Sequence, residues 1–257
     1  MRPSFHPRLV NDPFGDPGIF VPFIFEKQAL LFDLGDLAPL TPREILRTGR
    51  ILVSHTHMDH FIGFDRLLRL LLGRDKHLHL YGPAGILDNV EGKLNGYCWN
   101  LVDSYDHPFV LTVHELNQNR VFSKDYRCGD RFRSEHPPER SSLSGPLIRE
   151  SGYQVTAAIL DHGIPCLGFR LEETFHVNIL KDRLTAMGVS VGPWLNRFKQ
   201  ALLAGPPGGT EFEIPPECCA GGPRRFALAE LMDRIARITP GQKVTYITDT
   251  VFSAENP

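Results

Sequence analysis

Apolar residues arrive in short runs whose spacing changes along the chain. "GIFVPFIF" and "QALLFDLGD" predict two strands joined at Glu26-Lys27, a hairpin in which Pro22 suits an edge strand. "RILVSH" predicts a third, short strand. From His60 the period lengthens, with Phe61, Phe64, Leu68 and Leu71 at three- and four-residue spacing and Leu67 and Leu72 beside them. That is one apolar face of a helix stopped by Gly73, with Asp59 where an N-cap belongs. "HLHLYGP" predicts a strand that Gly82-Pro83 turns into a helix from about Ala84 to Leu94. "PFVLTVHEL", "YQVTAAIL" and "CLGFRLEE" predict strands, and "NILKDRLTAM" and "WLNRFKQALLA" predict helices ending at Gly188 and Gly205. "GPPGGTEFEIPPECCAGGP" is dense in Gly and Pro and predicts an extended arm or loop. "FALAELMDRIARI" then predicts a helix and "QKVTYIT" a strand. Strands and helices alternating behind an initial hairpin imply an α/β chain, its sheets covered by helices.

Size and charge narrow this reading. At 257 residues the chain suits one large α/β domain or two small ones. A formal charge of -2 leaves no whole-chain basic field for nucleic acid, and the local basic stretch "YRCGDRFRSEHPPER" is expected to be a solvated surface insertion. Cys98, Cys128, Cys166, Cys218 and Cys219 make no C-x-x-C pair, which suits a reducing cytoplasm. The N-terminal stretch has no apolar signal region, and "LLRLLLG" is too short and too charged to span a bilayer. A soluble, cytoplasmic protein is expected, with no membrane partner.

The candidate chemistry is concentrated in "SHTHMDH" at 54–60. Residues two apart at a strand end project to one side, so His55 and His57 can converge on one point. Asp59 and His60, after the turn, can face a second point close by. Imidazole and carboxylate suit Zn²⁺ and related divalent ions, and two such ions about 3.5–4 Å apart form a clamp for in-line displacement. Further ligands are expected at strand ends: His162 in the turn of "LDHGIP", with Asp161 as the weaker alternative, and Asp249 at the end of "KVTYITDT". His6, His77, His79, His107, His114, His136 and His176 have no comparable setting. His77 and His79 read as one exposed strand face.

These segments resemble the metallo-β-lactamase superfamily, and within it the ribonuclease Z branch of tRNA 3′-processing endoribonucleases. "SHTHMDH" resembles the first metal motif, "LLFDLGD" a strand ending in Asp33-Leu34-Gly35, and "LYGPAG" the strand-turn-helix that follows. "DHGIPCLGFRLEE" is similar to the segment carrying a ligand histidine, and "YITDT" to the bridging-aspartate motif. The similarity runs from about residue 19 to 252. The resemblance implies an αββα four-layer sandwich forming one domain over 1–257, incomplete at its C-terminus, with an arm-like insertion at about 178–222. It implies two zinc ions, manganese or magnesium being alternatives. His55, His57 and His162 would hold one ion, Asp59 and His60 the other, and Asp249 would bridge. A metal-bound hydroxide oriented by Asp59 would cleave precursor tRNA, leaving a 3′-hydroxyl and a 5′-phosphate, in a protein expected to be a homodimer. The family's Arg-Asn loop is matched only in part, by Arg8 and Asn11, and its general-acid histidine and last ligand histidine are expected beyond Pro257. Two other readings stay open: a hydrolase of the same fold acting on a small phosphodiester, thioester or lactone, and a non-catalytic relative that binds RNA or a partner.

Overall fold

The computed structural model describes residues 4–24, 26–106, 109–205, 209–219, 222, 224–254 and 256. The chain forms two compact units. In chain order, the elements before the first long loop are β1 (Arg8–Leu9), β2 (Ile19–Pro22), β3 (Ala29–Phe32), α1 (Pro42–Arg47), β4 (Thr48–Leu52), α2 (Met58–Phe61), α3 (Phe64–Leu71), β5 (Lys76–Pro83), α4 (Ile86–Asn95), β6 (Phe109–Asn117), β7 (Arg120–Arg127) and β8 (Glu139–Ser142). After it come β9 (Ile148–Arg149), β10 (Tyr153–Asp161), β11 (Pro165–Glu173), β12 (His176–Ile179), α5 (Lys181–Ala186), α6 (Trp194–Ala204), β13 (Glu211–Ile214), β14 (Arg224–Ala227), α7 (Leu228–Ile235), β15 (Ala236–Thr239) and β16 (Lys243–Tyr246).

One unit holds Phe5–Leu147, Thr156–Arg170 and the chain from Val244 onward. Its eight-stranded sheet runs β1 to β8 in sequence order. The β3-β4, β4-β5 and β5-β6 pairings are parallel, with Leu31 opposite Ile51, Ile51 opposite Leu80 and Leu80 opposite Val113. Each of these crossovers carries a helix, which is what returning a strand in the same direction requires. The apolar sides of β3 to β6 bury Leu31, Ile51, Leu80 and Val113 against Phe64, Leu67, Leu68 and Leu71 of α3 and Ile86, Val90 and Leu94 of α4. Each such side chain contributes about 1.5–3 kcal/mol of burial. Strands β11 and β16 of a second sheet face the opposite side, where Phe32 lies 6.0 Å from Phe169 and 5.4 Å from Tyr246, ring centre to ring centre. Helix, sheet and sheet therefore form three layers in this unit.

The other unit, Ile148–Val155 and Leu171–Lys243 with Ser4, has its own core. Trp194, Phe198 and Leu202 of α6 pack with Leu228, Leu231 and Ile235 of α7 and with Ile214 of β13. The segment expected to be an extended arm or loop contains β13, which pairs antiparallel with β14 just beyond it, Phe212 lying opposite Phe226. Ile214 is fully buried and Cys219 nearly so. Arm positions 206–208, 220–221 and 223 lie outside the described residues, as does His107.

Several local expectations change. The helix predicted from His60 breaks into α2 and α3, and His57 rather than Asp59 occupies the first N-cap. The break falls at Gly63, whose amide donates to Leu34 O at 2.8 Å while Leu34 N–H donates to His60 O at 2.8 Å. A Cβ on Gly63 would lie 2.2 Å from Gly35 O, so backbone packs on backbone there. Pro22 sits in a strand flanked on both sides, where its carbonyl accepts the His6 N–H at 3.3 Å. Asn178 and Ile179 are strand rather than helix, paired with Arg237 and Ala236 of β15. The basic stretch supplies the end of β7 and the start of β8.

The polar side of the large sheet carries a histidine column. His79 Nδ1 and His114 Nε2 are 3.1 Å apart, His114 Nδ1 meets Ser123 Oγ at 2.8 Å, and His77 Nε2 meets Thr112 Oγ1 at 2.7 Å. They line a cavity of about 860 Å³. His77 is exposed as expected, but His79 is half-buried and packed on His114.

Two predictions follow from this packing. Burial, aided by the His77, His79 and Arg50 charges and opposed by Asp125, lowers both His79 and His114 to about 4. The unfolded chain therefore binds protons between pH 6.5 and 4 that the folded chain refuses, so stability falls as pH drops through that window. Allowing for solvent screening of half-exposed rings, urea unfolding at pH 7 and pH 5 should show a loss on the order of 1 kcal/mol that His79→Gln with His114→Gln removes. Gly63→Ala should cost about 2 kcal/mol or more in thermal unfolding, since its new methyl meets backbone that cannot rotate away.

Candidate metal centre

The site is assembled where β3, β4, the β10-β11 turn and the end of β16 meet. After β4 the chain is held from both sides: Val53 N–H donates to Tyr81 O in the large sheet, and Ser54 O accepts from Leu167 N–H in the second, each at 2.8 Å. This places His55, His57, Asp59 and His60 on a rigid seam. His162 projects from a turn closed by Asp161, whose Oδ1 accepts the Gly163 N–H at 2.9 Å, with Gly163 at φ 75°. Asp161 is thus spent on the turn, and His162 is the residue brought to the cluster. Asp249 is drawn in through its carbonyl, which accepts from Cys166 Sγ at 3.6 Å.

All six residues expected from the sequence converge. His55, His57, His162 and Asp249 offer ligand atoms within 4.8 Å of one another, and Asp59, His60 and Asp249 form a second such group. Asp249 belongs to both. His55 Nε2 lies 3.1 Å from His57 Nδ1 and 3.9 Å from Asp249 Oδ2, and His60 Nε2 lies 3.3 Å from the same carboxylate oxygen. His55 and His60 are wholly buried, whereas the Asp59 and Asp249 side chains are 53% and 51% exposed, which leaves the carboxylate side open to a substrate.

The residue that sequence reasoning left without a role is Asp33. It is fully buried and takes φ 55°, a left-handed conformation that costs a non-glycine residue energy. Its Oδ1 accepts the Ser54 N–H at 2.6 Å. Its Oδ2 accepts Ser54 Oγ–H at 2.7 Å, His60 Nδ1–H at 2.8 Å and Tyr246 Oη–H at 2.7 Å. The Asp-x-Gly pattern marked Asp33; nothing in the sequence marked Ser54 or Tyr246 as its partners. Because the Ser54 hydroxyl proton is committed to Asp33, its oxygen accepts from His55 Nδ1, 3.1 Å away. Both His55 and His60 then carry their ring proton on Nδ1 and turn Nε2 inward, the arrangement metal-binding imidazoles need.

Electrostatics agree with this assignment. Burial, with the neighbouring imidazoles, lowers His55 to about 4 and keeps it neutral at pH 7 despite Asp33. For His60, burial works against protonation, but the Asp33 hydrogen bond and the charges of Asp33, Asp59 and Asp249 outweigh it and raise its pKa. The carboxylates ask for positive charge at Nε2. Burial and the Asp33 charge push the Tyr246 phenol up, so its hydroxyl stays a donor. Among the described residues, His60 Nε2 and both His162 ring nitrogens are buried without a hydrogen-bond partner. Buried polar atoms left this way cost free energy, and here they face carboxylates and imidazoles that a divalent cation would join. The residues fit such an ion.

Comparison with known proteins bears on which chemistry this is. No protein-family model matches the chain. Ribonuclease Z of Deinococcus radiodurans is 33% identical over 225 residues, 86% of this chain and 62% of that protein. Ribonuclease Z of Halalkalibacterium halodurans is 30% identical over 212 residues, 77% of this chain and 57% of that protein. Among solved structures, human tRNase Z, short form, aligns with a TM-score of 0.42 and 19% identity, over 66% of this chain and 62% of that one. The chain spans about three fifths of the length of these curated relatives, and over that span it is similar to proteins named Ribonuclease Z.

Proposed function

We propose that the chain belongs to a zinc-dependent endoribonuclease that cuts a phosphodiester bond on the 3′ side of precursor tRNA. The observation that carries this reading is the pair of candidate ligand groups that share Asp249, with His60 Nε2 and both His162 nitrogens buried and making no hydrogen bond among the described residues. The similarity to proteins named Ribonuclease Z supports the substrate class.

In this reading His55, His57, His162 and Asp249 hold one ion, and Asp59, His60 and Asp249 share a second. The nitrogen and oxygen donor set suits zinc, with manganese or magnesium as the alternative for the more acidic group. Zinc supplies Lewis-acid polarisation of a phosphoryl oxygen and makes water acidic enough to react near neutral pH. The chain's own residues do the rest. Asp59, half-exposed on the open side, accepts a hydrogen bond from the attacking water and aims it in line with the leaving oxygen. His55 and His60, buried and fixed through Ser54 and Asp33, hold the inner wall rigid. The insertion at about 178–222, whose strand β13 pairs with β14 just beyond it, serves as the arm that holds tRNA on a single metallo-β-lactamase-like domain. The assembled protein works in the cytoplasm as a homodimer, without a membrane partner. No helix among the described residues is long and apolar enough to cross a membrane.

Donor count orders the two ions. The first group offers four ligands and the second three, one of them shared, so zinc should be retained in the first and lost more readily from the second on dialysis. Metal analysis should show His57→Ala losing the tightly held zinc and Asp59→Ala losing only the weaker one. Asp59→Ala should also lower hydrolysis of bis(p-nitrophenyl) phosphate and of precursor tRNA by about 100-fold or more in the full-length protein. Retention of no divalent metal by the parent, or cleavage of the small diester but never of precursor tRNA, would overturn the metal or the substrate assignment respectively.

A further inference from the structure

We propose that Tyr246 is a positioning residue for the second ligand group. Its hydroxyl fixes the Asp33 carboxylate, and that carboxylate aims His60 Nε2 at the point shared by Asp59 and Asp249. The inference rests on the two-metal reading above and adds a residue that neither the ligand motifs nor the sequence analysis pointed to.

The geometry is specific. Asp33 Oδ2 is the closer of two oxygens at His60 Nδ1, at 2.8 Å against 3.3 Å for Ser54 Oγ, while Asp249 Oδ2 faces Nε2 at 3.3 Å. The same oxygen is held from two directions. Ser54, on the β4 side, donates to it at 2.7 Å, and Tyr246, from β16, donates at 2.7 Å. Asp33 and His60 have no solvent exposure and Tyr246 is 8% exposed, so water does not stand in for a lost donor without rearrangement. The strand that carries Tyr246 also delivers Asp249 three residues later, so one segment sets both the shared ligand and the far support of His60.

Removing the hydroxyl should act selectively. Phe at 246 keeps the ring that packs on Phe32 with centres 5.4 Å apart. The Ser54 bonds to Asp33, and through Ser54 the contact to His55, are untouched. What is lost is the restraint on Oδ2 from the β16 side. The His60 ring then pivots about Nδ1, and Nε2, at its far edge, moves most. Partners that orient metal ligands are typically worth 10–100-fold in metal affinity. The effect should therefore fall on the second ion and spare the first.

The test is a zinc titration by calorimetry of metal-free parent and Tyr246→Phe chains, with near-ultraviolet circular dichroism to confirm folding. The expected result is a second binding step weakened about tenfold or more and a first step changed by less than about twofold. Two unchanged steps would overturn the positioning role while leaving the two-metal reading standing. Equal weakening of both steps would overturn it too, since that marks a general structural defect. A parent that binds no zinc would remove the two-metal reading and this inference together. Should the variant fail to fold, the parent alone decides by proton NMR: the Tyr246 hydroxyl resonance should shift with the second zinc equivalent and not with the first, and the reverse or no response would overturn the proposal.

Discussion

A carboxylate with no access to water has to be surrounded by donors, and much of the site follows from meeting that demand for Asp33. The cost of an unpaired buried charge is several kcal/mol. Here it is met by a backbone amide, two hydroxyls and an imidazole drawn from β4, the α2 turn and β16. Each donor is fixed by giving its proton to the same group. Ser54 thereby becomes an acceptor for His55, so two histidines on different segments acquire the same tautomer from a single buried charge. The left-handed backbone at Asp33 and the close approach of Gly35 and Gly63 are the local strain and crowding that this arrangement tolerates.

What could be read in advance, and what could not, divides along physical lines. The candidate ligands lay in short segments whose geometry is local: a strand end for His55 and His57, a turn for His162, a strand end for Asp249. The buried faces of α3 and α4 were legible because their apolar period is long enough to be unambiguous. Helix α1 went unread although Thr41, Pro42 and Glu44 write a capping box, realised here with Thr41 Oγ1 accepting from Glu44 N–H at 3.3 Å. Its six residues carry too few apolar positions to show a period. The split between α2 and α3 was illegible because it is set by backbone packing of Gly63 on Gly35, 28 residues away in the chain. Tyr246 belongs to the same class. A hydroxyl that matters through a contact 213 residues distant leaves no mark in its own neighbourhood.

The large sheet shows how one set of strands serves two environments. Alternation in β5 and β6 sends Leu78, Leu80, Leu111 and Val113 to the helices and His77, His79 and His114 to the other side. The polar residues there satisfy one another in cross-strand pairs, His79 with His114 and Thr112 with Asp125, rather than facing water singly. Neutral imidazoles suit that setting because each can both donate and accept within a crowded row.

The double membership of Asp249 has a thermodynamic meaning of its own. Two ligand groups that draw on one carboxylate cannot fill independently. Whatever charge or orientation Asp249 surrenders to an ion in one group alters the free energy of filling the other, and linkage requires the effect to be equal in both directions. Asp249 also lies on the exposed rim, at 51% side-chain exposure, so in the two-metal reading a substrate oxygen that displaced it from the cations would loosen both groups at once. In the two-metal reading, occupancy is then a collective variable of two cations and one substrate, and a dissociation constant measured for either ion alone describes a different state from the fully loaded one.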